Sequence, residues 1–168
     1  LCHRVNEILQ RMEKLGALIS IVDLGGGLGI DYDNPDDNII PDFKAYFETL
    51  AANLSLSPGQ QLHVEPGRSI VAQSGTLLTR VLYVKEGTVK KFAIVDAGMT
   101  DLIRPALYQA HHKIQNISSN SMVDDVYDVV GPICESSDCF GTDERLPIVS
   151  RGDILALRSA GAYGEVMA

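Results

Sequence analysis

The stretch "ALISIVDLGGGLGI" (17–30) constrains the fold more than any other part of the chain. Its first eight residues form a nearly continuous apolar run, closed by a glycine cluster. An alternating run marks a strand with one wet face, whereas a continuous one bounded by glycines marks a strand covered on both faces, as in a parallel sheet. Parallel strands need crossover connections, so the flanking segments should be helical. They read that way. Residues 1–16 place Val5, Ile8, Leu9, Met12 and Leu15 at helical spacing, and Gly16 supplies a stop. Pro41 opens a second helix whose apolar stripe is Phe43, Phe47, Leu50 and Leu54. "SPGQ" (57–60) is a turn, and "QLHVE" (61–65) is a second short strand ending in a charged residue. The first 65 residues thus read helix–strand–helix–strand, an α/β winding with parallel strands.

The second half changes character. "SIVAQSGTLLTRVLYVKEG", "KKFAIVDAG", "VYDVVG" and "GDILALRS" read as strands separated by turn signals, with a turn or two of helix around 101–113. "NISSNSMVDD" (116–125) reads as an exposed polar loop. The expected fold class is therefore α/β plus β. Residues 1–72 form the α/β part and 73–168 a mostly antiparallel β domain, with the boundary near 68–80.

The chain carries 22 acidic residues against 14 basic ones, a net charge of −8, which argues against a nucleic-acid partner. No apolar run approaches the roughly 18–20 residues of a membrane span. Three cysteines are an odd count without a tight repeat, so a reduced, cytoplasmic location is the simpler reading. The chain begins inside an amphipathic helix pattern, without an apolar signal core, and stops just after "SAGAYG". It is expected to be a piece of a longer polypeptide.

Glycines at the end of a strand leave backbone amides open to a phosphate. In "VDLGGGLGIDY" (22–32), Gly25 and Gly27 match the start of the dinucleotide fingerprint, but the third position after Gly27 is Ile30 and no helix opens directly. No GK[ST] follows, so a P-loop fails as well. A cofactor phosphate at the strand's C-terminal end and a tight turn without ligand both stay open. "HVEPGR" (63–68) ends the second strand. Gly67 permits close backbone approach, Arg68 offers a planar cation and Glu65 an anion for a ring nitrogen, which suits a phosphorylated aromatic cofactor. A salt-bridged strand terminus is the alternative. "GPICESSDC" (131–139) places two cysteines five apart, with neither a CxxC nor a histidine cluster, so it fits neither zinc spacing nor a thioredoxin-type pair.

"DLGGGLGI", "EPGR", "DAGMTDLIRPALY", "GPICESSD" and "GAYG", in this order, resemble the pyridoxal-phosphate (PLP) decarboxylases of the alanine-racemase-like fold type. "RPALY" and "CES" point to the diaminopimelate branch. The resemblance covers nearly the whole chain. It implies the last part of a (β/α)8 barrel followed by a C-terminal β domain, and conversion of meso-diaminopimelate to L-lysine and CO2. A decarboxylase of another basic amino acid and a non-catalytic decarboxylase-like domain are the alternatives. Gly25, Gly26 and Gly27 are then expected to hold the cofactor phosphate, helped by Gly67 and Arg68. Glu65 should keep the pyridine nitrogen protonated, so that the ring accepts the electrons released with CO2. Arg68 is also expected near the substrate. Arg104 and Tyr108 should bind the carboxylate at the substrate's far end, and Tyr163 should reach the cofactor phosphate or the substrate. The resemblance further implies a homodimer in which the "CES" loop enters the neighbouring subunit's site. There Cys134 donates a proton to the carbon that loses CO2, and Glu135 recognises the distal ammonium. Asp138 has a supporting role, and Cys139 is a small thiol without one.

The family's Schiff-base lysine lies upstream of the glycine loop. None of the six lysines present, at 14, 44, 85, 90, 91 and 113, matches it. "LYVKEG" superficially resembles a Tyr-x-x-Lys strand end, but Tyr83 and Lys85 are only two apart. His3 is expected on a helix surface, and His111 and His112 are expected to be solvated, with lining of the site as the lesser alternative. These 168 residues alone, supplied with PLP, are therefore predicted to release no CO2 from diaminopimelate. Trapping labelled CO2 checks this, and measurable turnover would overturn it.

Overall fold

In the computed structural model the periodic apolar residues at the start of the chain form helix α1 (Cys2–Lys14). The structure describes residues 1–37 and 39–168. The end of α1 is fixed by two backbone bonds: Gly16 N–H to the Glu13 carbonyl (2.9 Å) and Ala17 N–H to the Met12 carbonyl (3.0 Å). This closure places Gly16 at φ +74°, where a side chain would be strained. Helix α2 (Phe43–Asn53) is capped by Asp42, whose carboxylate accepts the Ala45 N–H at 2.8 Å, and Pro41 stands just before the cap. Strands β1 (Ile21–Asp23) and β2 (Gln61–His63) pair in parallel, with Val22 opposite Leu62.

These elements belong to the first of two compact units, Leu1–Gly29 with Ile40–Ser69. The expected cover on both faces of the first strand is not found. Val22 is buried, but Ile21 is 50% exposed and Leu18 fully exposed. A sheet of two strands has little surface to bury.

The second unit comprises Ile30–Ile39 and Ile70–Ala168. Before it, the residues "SIV" (69–71), expected to start a strand, belong instead to a short helix, α3 (Arg68–Val71), continued by a 3-10 turn over Ala72–Ser74. Tertiary contact outweighs the β-branched residues here. Ala72 is completely buried, and its carbonyl accepts the Gly161 N–H at 2.9 Å. The sheet of this unit contains β3 (Leu77–Glu86), β4 (Lys91–Val95), β5 (Ile114–Asn116), β6 (Asp124–Val130), β7 (Cys139–Pro147) and β8 (Ile154–Leu157). Its order is β5-β8-β3-β4-β6-β7, antiparallel except for the parallel pair β4–β6. The outer strands β5 and β7 approach one another, so the sheet is nearly closed. Helix α4 (Arg104–Tyr108) lies between β4 and β5.

Two strands were not evident in the sequence. β5 falls partly in the expected polar loop; its Asn116 is buried and donates to the Asp153 carboxylate at 2.8 Å. β7 hides its pattern behind the charged run "TDER", yet Phe140 and Leu146 face the core. That core gathers Val81, Val95, Val129, Leu155 and Leu157 from the strands, with Leu102 from the connection between β4 and α4. Lys90, at the β3–β4 turn, reaches Asp128 (3.0 Å) and Asp143 (3.4 Å), tying that turn to β6 and β7. Among the described residues no helix is long and apolar enough to cross a membrane.

Leu155 is fully buried, so Leu155→Ala is expected to cost about 2–5 kcal/mol, whereas Leu78→Ala, on the open face of β3, should cost less than about 0.5 kcal/mol. Denaturant midpoints of the two variants check the contrast.

Candidate active site

Parallel pairing delivers the C-terminal ends of β1 and β2 to the same edge of the first unit. Two backbone bonds carry the ladder beyond the strands: Leu24 N–H to the His63 carbonyl (3.1 Å) and Glu65 N–H to the Gly25 carbonyl (2.7 Å). A Cβ on Gly26 would lie 2.9 Å from the Glu65 carbonyl oxygen, closer than real Cβ atoms come. Gly25 and Gly27 adopt φ +65° and +120°. Each of the three positions thus requires glycine for a stated reason. Asp23 accepts the Gly25 N–H at 2.7 Å, and the Gly26 carbonyl accepts the Tyr46 hydroxyl at 3.2 Å, which fixes the loop from both sides. Glu65, Gly67 and Arg68 follow on the neighbouring strand end and are exposed.

In the second unit, α4 places Arg104 inward and leaves Tyr108 on the same short helix 63% exposed. Arg104 is only 5% exposed. Its Nη1 donates to the Tyr32 hydroxyl at 3.1 Å and meets His112 Nε2 at 3.0 Å, and its guanidinium lies 5.3 Å from the centre of the Tyr32 ring. Among the described residues no carboxylate lies within ion-pair distance of it. A buried cation normally has an anionic partner or a rich set of acceptors.

His112 corrects the expectation of a solvated residue, because it is fully buried, while His111 is exposed as expected. Its Nδ1 lies 2.9 Å from the Arg158 carbonyl. Arginine only donates and a carbonyl only accepts, so the partners assign the tautomer: the lone pair is on Nε2 and the proton on Nδ1. Burial holds the ring below the usual imidazole range and the Arg104 charge adds to this, while the Arg158 carbonyl acts in the opposite sense. Tyr32 meets the His112 ring edge-on, with centroids 5.2 Å apart.

Tyr32 belongs to a segment tethered at several points. Asp33 and Asn34 donate their N–H groups to Asp31 (both 2.9 Å). Asp33 pairs with His111 at 3.3 Å, Gln73 donates to the Pro35 carbonyl at 3.1 Å, and Arg158 pairs with Asp36 at 2.7 Å. The hydrogen bond from Arg158 lowers the pKa of Asp36.

The loop between β6 and β7 carries Cys134 and Glu135. Both are exposed, and Cys134 is a free thiol. Asp138 organises the loop. It is buried and accepts from Met99 N–H (2.6 Å) and Ile133 N–H (2.8 Å), joining the loop to the turn after β4. Gly131 is required beneath it, since a Cβ there would lie 2.2 Å from the Asp138 carboxylate. The Glu135 carboxylate accepts from the Ser137 backbone N–H and hydroxyl, both at 3.3 Å. The Cys139 thiol points to the Gly141 carbonyl at 3.5 Å, and burial pushes its pKa up, so it is not a poised thiolate.

Tyr163 sits in the turn after β8 with φ +59°. A Cβ on Gly161 of this turn would lie 2.0 Å from the Val71 carbonyl, so the turn seats directly on that backbone.

The structure brings Gly25 and Gly26 against Glu65, and holds Cys134 and Glu135 in one loop. Among the described residues no hydrogen bond or ion pair joins that loop's Cys134 or Glu135 to Arg104 or Tyr108. Tyr32 and Arg158 were missed as functional candidates, and His112 was expected at the site only as the lesser alternative. The only sequence signals were a tyrosine just past the glycine loop and a histidine eight residues beyond Arg104.

A family model described as the C-terminal sheet domain of pyridoxal-dependent decarboxylase matches residues 19–161. The diaminopimelate decarboxylase of Bacteroides thetaiotaomicron is 61% identical over 168 residues, covering all of this chain and 43% of that protein. That of Archaeoglobus fulgidus is 46% identical over 174 residues, covering 98% of this chain and 40% of the relative. The crystal structure of diaminopimelate decarboxylase from Helicobacter pylori complexed with L-lysine superposes with a TM-score of 0.83 at 42% identity, over 98% of this chain and 40% of that one. The chain therefore spans less than half the length of these relatives. Matched along most of its residues in sequence and in backbone, it belongs to the pyridoxal-dependent decarboxylases.

Proposed function

We propose that this chain is the C-terminal part of a PLP enzyme that decarboxylates meso-diaminopimelate to L-lysine, working as a cytoplasmic homodimer with shared active sites. In this reading residues 1–72 are the last part of a (β/α)8 barrel and 73–168 the C-terminal β domain. The observation that carries it is Arg104: a guanidinium buried to 5% exposure without a carboxylate partner among the described residues. Such a group favours a ligand that brings its own carboxylate. A substrate with an amino-acid group at each end provides one, and the names of the similar proteins agree with it.

The glycine loop fits the cofactor. At Gly26 a side chain would strike the Glu65 backbone, and the two flanking glycines turn at positive φ, leaving a bare main-chain cradle suited to a phosphate. Gly25, Gly26 and Gly27 would hold that phosphate, with Gly67, Arg68 and Tyr163 contributing. When bound, PLP supplies an electron sink for the pair released as CO2 departs. The Glu65 carboxylate holds the proton on the pyridine nitrogen. Arg104 binds the distal carboxylate through charge-assisted hydrogen bonds, and the Tyr108 hydroxyl adds a donor. Arg68 orients the reacting end, and Glu135 accepts from the distal ammonium. Cys134 delivers the proton from its Sγ to the carbon that has lost CO2. Asp138 keeps Cys134 and Glu135 in place by anchoring the backbone of their loop.

In the full-length enzyme loaded with PLP, Arg104→Gln is expected to raise KM for diaminopimelate about ten- to a hundredfold, the worth of a lost charged hydrogen bond. PLP affinity, followed by cofactor absorbance, should stay unchanged. An unaltered KM would remove Arg104 from substrate binding. Cys134→Ala should lower kcat by at least about 100-fold with little effect on PLP affinity, and stopped-flow turnover measures the split. Asp138→Ala leaves two backbone donors unmet and should lower stability by about 1–3 kcal/mol, seen as a reduced denaturant midpoint.

A further inference from the structure

The Arg104 guanidinium has five N–H donors in a fixed plane. Both hydrogens of Nη1 are taken, one by the Tyr32 hydroxyl at 3.1 Å and one by the His112 Nε2 lone pair at 3.0 Å. Among the described residues nothing accepts from Nε or Nη2. The remaining donors form the side-on edge of the guanidinium, which matches two carboxylate oxygens in parallel. The end-on edge, which needs an Nη1 hydrogen, is closed.

We infer that His112 is a positioning residue for substrate recognition: with Tyr32 it occupies one side of the Arg104 guanidinium, so that only the Nε/Nη2 edge is presented to the substrate's second carboxylate. This rests on the reading of Arg104 as the carboxylate reader and goes further by stating which edge reads and what selects it. Two features make His112 suited to the task. Its Nδ1–H bond to the Arg158 carbonyl leaves Nε2 as an obligate acceptor. Burial then disfavours the protonated ring, which has no lone pair to offer Arg104 and would place a second cation at hydrogen-bond distance from it. The groups facing His112 are the Arg104 guanidinium, the Arg158 carbonyl and the Tyr32 ring, with His111 adjacent in the chain. None of them is an anion that would favour the imidazolium. Arg158 serves both arms: its carbonyl sets His112, and its guanidinium holds Asp36 of the segment that bears Tyr32.

The test uses the full-length PLP-loaded enzyme and two ligands, diaminopimelate, which has the second carboxylate, and L-lysine, which lacks it. His112→Leu is expected to raise KM for diaminopimelate tenfold or more while changing the inhibition constant of L-lysine less than twofold. Tyr32→Phe should move KM in the same direction by less. His112→Gln, whose amide oxygen accepts where Nε2 did, should recover most of the loss. Equal changes for both ligands, or no change for either, overturn the inference. Should His112→Leu fail to fold, the Gln variant decides through its pH profile. Wild-type KM for diaminopimelate rises as the pH falls and His112 gains a proton, and this rise should be absent in His112→Gln; a parallel rise in both overturns the inference. Arg104→Gln separates the two layers. If it leaves KM for diaminopimelate unchanged, the carboxylate reading itself fails; if it raises KM while the His112 variants do not, only the positioning role fails.

Discussion

Backbone pairing along β3 is the constraint on which the second unit depends. This ten-residue strand bonds to β8 through Leu77–Arg80 and to β4 through Val81–Glu86, so among the described residues its ladders link the β5–β8 pair to the β4–β6–β7 group. An irregularity between Val81 and Tyr83 lies near the changeover and shifts the register with β4. Three segments that carry proposed functional residues leave this sheet as loops: α4 after β4, the Cys134 loop after β6 and the Tyr163 turn after β8. A rigid sheet with chemistry in its connections suits side chains that must be held within fractions of an ångström.

The polar groups of the second unit divide by what they hold. Asp138 and the Asp96–Thr79 pair bind backbone N–H groups and fix loop shape. Asp96 accepts from the Thr79 hydroxyl at 2.7 Å and from Arg80 N–H at 2.8 Å, and the bond from Thr79 is the largest cause of its lowered pKa. Arg104 differs, since its neighbours are a phenol and a neutral imidazole. Exposed pairs such as Lys44 with Glu48 contribute little by comparison, because water screens them.

Local signals made the first unit largely legible from sequence. Helical spacing, Gly16 and the turn at 57–60 each act within a few residues, and parallel pairing followed from a continuous apolar run. The second unit was read less completely where long-range partners decide the outcome. β7 becomes a strand because Phe140 and Leu146 meet the core, although four charged or polar residues lie between them. "RSIV" becomes helix because the turn at Gly161 docks on the following backbone. In the candidate site, motif recognition named Arg104 but missed its supports. A histidine pair after a short helix resembles polar surface, and the Arg158 carbonyl, 46 positions away, together with Arg104 satisfies both ring nitrogens of the buried His112.

That carbonyl has one more consequence. Every amino acid supplies the same main-chain oxygen, so replacement at position 158 cannot delete the group that locates the proton on His112. The orientation of the imidazole is therefore encoded in the chain path. The tether to Asp36, made by the side chain of Arg158, is the part open to evolutionary drift. Relatives can tune how firmly the Tyr32 segment is held without relocating the lone pair that faces Arg104.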